Sequence, residues 1–288
     1  MSIGIYILVL SSMFAVSTSP LIARYLIHVD PIVISFWRMS IGALVLYIYS
    51  YFQKDFKGIS LGNKAKTLIA GILLGIHFAL FYGAISLLPD NLTNATVFGT
   101  LAPLFALFIE FYFGRKIDIK LIMGLFIILA GSSIMFINDF DFSSNLTQGN
   151  ILAVLCSVCF AFVFILSDTV RKKDSAFTFS KAIFFYAALT LAFIAILMDR
   201  NLLGFSNANF PFLLFLGIVP TLIGHSVFYY LVKYLPPTAV ASIPLGEPII
   251  VAFSGYYLFP GQNLNEYIIF GGAITIIGLF IIIQTKKT

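Results

Sequence analysis

The sequence predicts an all-α integral membrane protein of ten transmembrane helices, arranged as two inverted five-helix repeats with both termini cytoplasmic. Three observations carry that expectation. Apolar residues make up 60% of the chain and charged residues only 10%, against about half and about a quarter in soluble domains. The apolar residues fall in runs of about 20, the length that crosses a hydrocarbon core of ~30 Å. The basic residues gather in alternate loops, as topology signals do. The net charge of +5 therefore gives no nucleic-acid surface, because it forms no single patch.

The first span, 3–24, has no charged n-region and no clean cleavage site, and is read as retained. The next runs are 31–52, 65–88, 91–113 and 118–137, followed by 148–170, 177–198, 210–233, 236–258 and 265–284. Their breaks carry loop chemistry, such as "HVDP" at 28–31, "FQKDFKGISLGNK" at 52–64, "GRKID" at 114–118 and "NDFDFSSN" at 138–145. Pro31, Pro211 and Pro236 stand near span starts, where a missing N–H costs least.

A cytoplasmic N-terminus puts Lys54, Lys57, Lys64, Lys66, Arg115, Lys116, Lys120, Arg171, Lys172, Lys173, Lys181, Lys233, Lys286 and Lys287 on the cytoplasmic side. The opposite face keeps only Arg24 and Arg200, and Arg38 lies within a span. One missed helix would scramble this alternation. The expected location is a bacterial cytoplasmic membrane, crossed many times, with the lipid bilayer as the chain's constant partner.

The two halves, 1–137 and 148–288, share an internal register. "FY" at 81–82 recurs at 228–229, Leu88-Pro89 recurs as Leu235-Pro236, and Gly124 and Gly131 recur as Gly271 and Gly278, all 147 residues apart. Pro103 and Pro248 follow at 145. A duplicated unit of five spans must enter the membrane from opposite sides, which is the inverted architecture of secondary transporters.

Four segments then carry a resemblance: "DPIVISFWR" (30–38), "LAPLFALF" (101–108), "GLFIILAGSSIMF" (124–136) and "PPTAVASIPLGEPIIVAF" (236–253). Together they resemble the drug/metabolite transporter superfamily, specifically the EamA type, over essentially the whole length. The resemblance implies alternating access and export or facilitated passage of small metabolites. Many relatives end the fourth and ninth spans in an "LGE"-like triplet. Here those places read "FGR" (113–115) and "FPG" (259–261), so that acid's role does not carry over.

Ionisable groups inside a membrane are costly and usually face a cavity or a partner. Glu247 lies 11 residues past Pro236, thus ~16 Å deep at about 1.5 Å per residue. Arg38 lies seven residues past Pro31, ~10 Å deep, with a long side chain that reaches further. In the functional reading Arg38 grips an anionic group with a two-pronged contact. Glu247 faces a cationic amine or takes up a proton. His77 and His225, at near-equivalent places in the repeats, are alternative proton carriers. In the competing reading Arg38 and Glu247 pair with each other, and the histidines are hydrogen-bonded packing residues. Glu110 is expected at the interface, beside Arg115 and Lys116.

Pro103 and Pro248, both mid-span, each free a carbonyl that lipid cannot satisfy, and are expected to break cavity-lining helices. Pro244 adds to the second bend and Pro20 bends the end of the first span. Trp37, Tyr82 and Tyr229 are the aromatic candidates for the walls of the site. Cys156 and Cys159 read as two small apolar side chains on one helix face. Gly71 with Gly75, and Gly271, Gly272 and Gly278, read as close helix contacts. N-x-T triplets at 91, 94 and 145 fall on the outer face.

The leading function is a secondary transporter of small amphipathic or zwitterionic metabolites such as amino acids, with protons as candidate coupling ions. No cofactor is implied, the chain reads as no enzyme, and monomer and homodimer both stand as assemblies. The alternative is a membrane enzyme or flippase acting on a lipid-linked substrate. The loops hold no H-E-x-x-H, nucleophile triad or P-loop to support an enzyme or ATP-driven transport.

Overall fold

A computed structural model describes residues 3–88, 92–135, 144–258 and 264–285. All regular elements among these residues are helices, with short 3₁₀ and π segments at span starts and bends, joined by non-helical connections such as 53–60 and 198–206. The first half holds α1 (Ile3–Tyr25), α2 (Pro31–Phe52), α3 (Lys64–Leu87), α4 (Leu92–Gly99), α5 (Ala102–Tyr112) and α6 (Ile119–Met135). The second holds α7 (Ser144–Val170), α8 (Ala176–Leu197), α9 (Phe210–Ile218), α10 (Ser226–Leu231), α11 (Pro237–Ala241), α12 (Glu247–Leu258) and α13 (Glu266–Ile283).

Joined across their bends, these make ten apolar runs. Nine of them, among the described residues, are long and apolar enough to cross a membrane. The remaining one, α6, is a shorter apolar helix, and the rest of its expected span, 136–137, lies outside the described residues. So do Pro89, Asn91, the "FPG" triplet, Lys286 and Lys287, and the side chains of Asn94 and Asn145. The start of α2 follows from its sequence: the Asp30 carboxylate accepts from Ile32 N at 2.8 Å, and Pro31 takes the first turn.

Three spans are broken, each by proline chemistry. The fourth stops at Gly99 and resumes at Ala102, with Pro103 in the new first turn. The Phe98 carbonyl exposed at that gap accepts from Ser157 Oγ on α7 at 2.7 Å. The ninth passes from α11 through a 3₁₀ turn, Ile243–Gly246, into α12, with Pro244 in the turn and Pro248 at the second position of α12. The eighth contains a π segment, Val219–His225, built around Pro220. Pro220 has no N–H for the Leu216 carbonyl four residues back; the Thr221 hydroxyl donates to that carbonyl at 2.8 Å instead. Ring geometry and a hydroxyl thus explain a π-bulge, a feature often found at functional sites.

The halves meet along a glycine seam between α6 and α13. Gly124 faces Gly278 and Gly131 faces Gly271, so the two helices run antiparallel. A Cβ on Gly131 would lie 2.6 Å from the Gly271 carbonyl oxygen, and one on Gly278 would lie 2.8 Å from that of Gly124. The 147-residue repeat offset exchanges these two contacts, which places the seam on an approximate two-fold axis. Without water to drive helices together, such backbone approach is how membrane helices gain contact. Around the axis, the ninth span is the most enclosed: 78% of its membrane-length window is buried, against 44–56% for the other eight. That burial puts Glu247 at the centre of the bundle rather than against lipid.

Candidate functional site

A cavity of about 30 Å³ lies between the halves. Val16, Ser19, Arg38, His77, Phe78, Phe81, Gly99, Thr100 and Ala102 line it from the first half, and Phe160, His225, Phe228, Ala241, Pro244 and Glu247 from the second. At about 10–15 Å³ for each water, the space holds roughly two. The polar centre therefore holds little free volume.

Arg38 is 1% exposed and held from three sides. Its Nε donates to Thr221 Oγ1 at 2.9 Å, and its Nη1 donates to Ser19 Oγ at 2.8 Å and to Tyr82 Oη at 2.9 Å. The guanidinium lies over the Phe78 ring, 4.2 Å from its centroid, in cation–π contact. The one polar atom left over is Nη2, buried and without a partner. Two of the three nitrogens, Nε and Nη1, are thus engaged by Thr221, Ser19 and Tyr82, and Nη2 is not.

Glu247 is 5% exposed and begins α12 directly after the 3₁₀ turn. Its carboxylate lines the same cavity as Arg38, yet no ion pair joins the two among the described residues. The expected Arg38–Glu247 ion pair is therefore absent among the described residues, and both side chains line the same cavity.

The two histidines differ. His77 Nδ1 lies 3.0 Å from the Cys156 carbonyl oxygen, and its ring stacks on Phe160 at 4.3 Å between centroids. His225 ends the π segment, and its Nδ1 is buried with no partner. It packs edge-on to Phe78 and Phe228.

Four of the expected residues, Arg38, His77, His225 and Glu247, therefore share one cavity wall, and Tyr82 braces Arg38 from behind. Trp37 and Tyr229 do not join them. Trp37 Nε1 donates to the Leu202 carbonyl at 2.7 Å and its ring packs on Phe205 and Phe210, so it ties the first half to the connection before α9. Tyr229 packs on Phe179 and Phe184, with its hydroxyl buried and unpartnered. One helical step separates Phe228, on the cavity, from Tyr229, off it. Pro103 and Pro248 stand behind the breaks; Gly99, Thr100, Ala102 and Pro244 form the wall.

Sequence reasoning passed over Ser19, Thr221, Phe78 and Phe160. Pro220, a proline near the middle of an apolar span like Pro103 and Pro248, was the available signal for Thr221.

Glu110 lies beside Arg115 and Lys116 as expected, and it also reaches across to the second half. It is 5% exposed and accepts from Thr238 N at 3.0 Å and from Thr238 Oγ1 at 2.5 Å. Arg115 bridges it, at 3.1 Å, to the buried Asp168 of the second half, at 2.7 Å. This four-residue clasp joins the halves and borders a separate cavity of about 410 Å³, which is also lined by Lys116, Lys172 and Pro237. From Pro237 on that cavity to Ala241 on the central one is four residues, about 6 Å of helix.

Comparison with known proteins decides the family. The EamA-like transporter family profile matches residues 2–137 and again 147–284. The chain belongs to the EamA-like transporter family. It is thus a multi-pass membrane transporter, and the resemblance carried by its four motif segments is real family membership. An uncharacterized transporter of Archaeoglobus fulgidus is 25% identical over 253 residues, which cover 88% of this chain and 86% of that protein. One solved crystal structure superposes with a TM-score of 0.76, covering 96% of each chain at 16% identity, and supports the fold alone. An EamA-like transporter implies a small-molecule substrate, and the central cavity is where Arg38, His77, His225 and Glu247 come together.

Proposed function

We propose that this transporter moves small zwitterionic or amphipathic metabolites, amino acids among them, by alternating access at the central cavity, as an exporter or facilitator. One observation carries the reading: an unpartnered guanidinium nitrogen of Arg38 and the carboxylate of Glu247 line a single cavity between the halves without neutralising each other. A zwitterion supplies the two missing counter-charges at once, the carboxylate toward Nη2 and the amine toward Glu247. Phe78, Phe81, Phe160 and Phe228 give an apolar side chain its surroundings. Protons compete for Glu247, with His225 as the second proton site.

In this reading residues 1–137 and 148–288 are the two moving halves of one membrane domain, with both termini and the lysine-rich loops cytoplasmic. The closed centre is the occluded step, and separation of α5 from α11 joins the 410 Å³ cavity to the central one.

Flux in reconstituted liposomes tests the substrate. Zwitterionic amino acids are expected to move, while simple alkylamines and alkylcarboxylates of equal size move at least tenfold more slowly. Glu247→Gln keeps the shape and leaves no partner stranded, so its melting temperature should match the parent while zwitterion flux falls about tenfold to a hundredfold, the worth of a charged hydrogen bond. Equal flux of all three ligand classes would remove the zwitterion from the proposal.

The clasp gives a second test. Thr238→Val removes the hydroxyl that donates to Glu110 and weakens the tie between the halves. An Ala241→Cys probe, in a background carrying Cys156→Ala and Cys159→Ala, should then react with a membrane-impermeant maleimide about tenfold faster than with Thr238 present, because ~1.4 kcal/mol shifts a two-state population by that factor. An unchanged rate would mean that the clasp does not govern access.

A further inference from the structure

Away from the central cavity, on the lysine-bearing face, lies a space of about 550 Å³ between Tyr47 of α2, the 57–64 connection and the first turns of α8. Three lysines line it, Lys57, Lys64 and Lys181, and no carboxylate does. Two acids on the same connections are engaged elsewhere. Asp55 accepts from the Lys57 backbone N at 3.2 Å. Asp174 accepts from Ser60 N at 2.9 Å, Ser60 Oγ at 2.9 Å and Asn63 Nδ2 at 2.6 Å. Burial pushes the Asp174 carboxyl up, but those hydrogen bonds and the Arg171 charge outweigh it and hold it below the ordinary carboxylate range.

Lys181 is the unusual member. It is only 7% exposed, and its Nζ donates to two neutral oxygens, Ser50 Oγ at 2.9 Å and the Lys57 carbonyl at 3.4 Å. The Tyr47 and Phe177 rings flank it at 5.5 Å. No ion pair reaches it among the described residues. A lysine is almost never this buried unless an anion pairs with it. Lys57 and Lys64 are exposed at the mouth, and around the same level Tyr49, Tyr51, Phe52 and Phe56 face outward. Such an aromatic belt marks the depth of lipid headgroups. A cationic pocket with one buried ammonium, two exposed lysines at its mouth and an aromatic belt beside it suits a phosphate whose acyl chains continue down the bundle.

We propose that this pocket binds the phosphate of an anionic phospholipid headgroup, with Lys181 at its base and Lys57 and Lys64 at its rim. The site stands apart from the transport cavity and does not depend on what that cavity carries.

The full chain, purified in a neutral detergent, is titrated with phosphatidylglycerol, phosphatidylcholine or water-soluble glycerol 3-phosphate, following bound lipid by native mass spectrometry and unfolding by thermal melting. Phosphatidylglycerol is expected to bind and raise the melting temperature where phosphatidylcholine does not. Lys57→Gln with Lys64→Gln, both exposed and tolerant of change, should weaken that binding about thirtyfold, roughly fivefold for each lysine near a lipid surface. Lys181→Gln should weaken it as well, and Lys116→Gln with Lys120→Gln, far along the same face, should leave it alone. Binding that survives both pocket variants, or equal binding of the two lipids, would overturn the site. Glycerol 3-phosphate that stabilises the chain by itself and displaces the lipid would overturn the lipid as its source.

Discussion

Gly271→Ala and Gly131→Ala are expected to cost most of the folded protein, while Gly272→Ala, one residue away, leaves it intact. The difference is geometric. A Cβ on Gly131 would meet Thr275 Oγ1 at 2.5 Å, Gly271 O at 2.6 Å and Thr275 N at 2.7 Å, and one on Gly271 would meet the Gly131 carbonyl, with Met135 N at 2.6 Å. These neighbours are mostly backbone and cannot rotate aside, so α6 and α13 must separate. A Cβ on Gly272 would touch only the Ile249 side chain, at 3.4 Å, an ordinary contact. Overpacking of this kind costs about 1–3 kcal/mol at one site, and here the displaced helices also carry the contact between the halves. Melting of detergent-purified variants should show a drop of many degrees for the two seam variants and a shift within error for Gly272→Ala. Similar melting of all three would mean that the seam is looser than its geometry.

The second large effect is at Arg38. Arg38→Ala takes a charged donor away from the Ser19, Tyr82 and Thr221 oxygens, at about 1–3 kcal/mol in all, because the Ser19 and Tyr82 hydroxyls keep each other at 2.9 Å and Thr221 keeps the Leu216 carbonyl. It also removes the cation over Phe78. Arg38→Lys restores the charge but not the fork, since one ammonium cannot reach Thr221 on one side and Ser19 with Tyr82 on the other as the guanidinium does. Both variants should melt lower than Glu247→Gln and transport at background rate. The split between the two positions is informative: Arg38 variants lose stability and flux together, and Glu247→Gln loses flux alone. Arg38→Lys that melts and transports like the parent would show that the scaffold bonds to the guanidinium are dispensable.

Much of this architecture was legible before any coordinates. Apolar run length and lysine distribution delimited the spans, because lipid penalises every exception to them. The 147-residue echo of Gly124 and Gly131 anticipated a seam, although the sequence could not say that each glycine would face the counterpart of the other one on its own helix. Buried charges were easy to pick out for the same reason of cost, and Arg38, His77, His225 and Glu247 do converge. What stayed hidden was pairing between elements far apart in the chain. Glu110 and Thr238 are 128 residues apart, and nothing local marks a threonine as the partner of a carboxylate. Trp37 adjoins Arg38 in sequence, but successive helical residues point about 100° apart, so adjacency brought it to the Leu202 connection instead. Asp168, near the end of its span, was masked by the basic run that follows it.

The Thr221 hydroxyl has two tasks, filling the vacancy left by Pro220 and steadying the guanidinium of Arg38. A single oxygen therefore fastens a joint in one half to the guanidinium in the other. Flexing the joint must loosen or reposition that guanidinium, and on the proposed site anything that loads it must stiffen the joint, with no lever longer than one side chain between them.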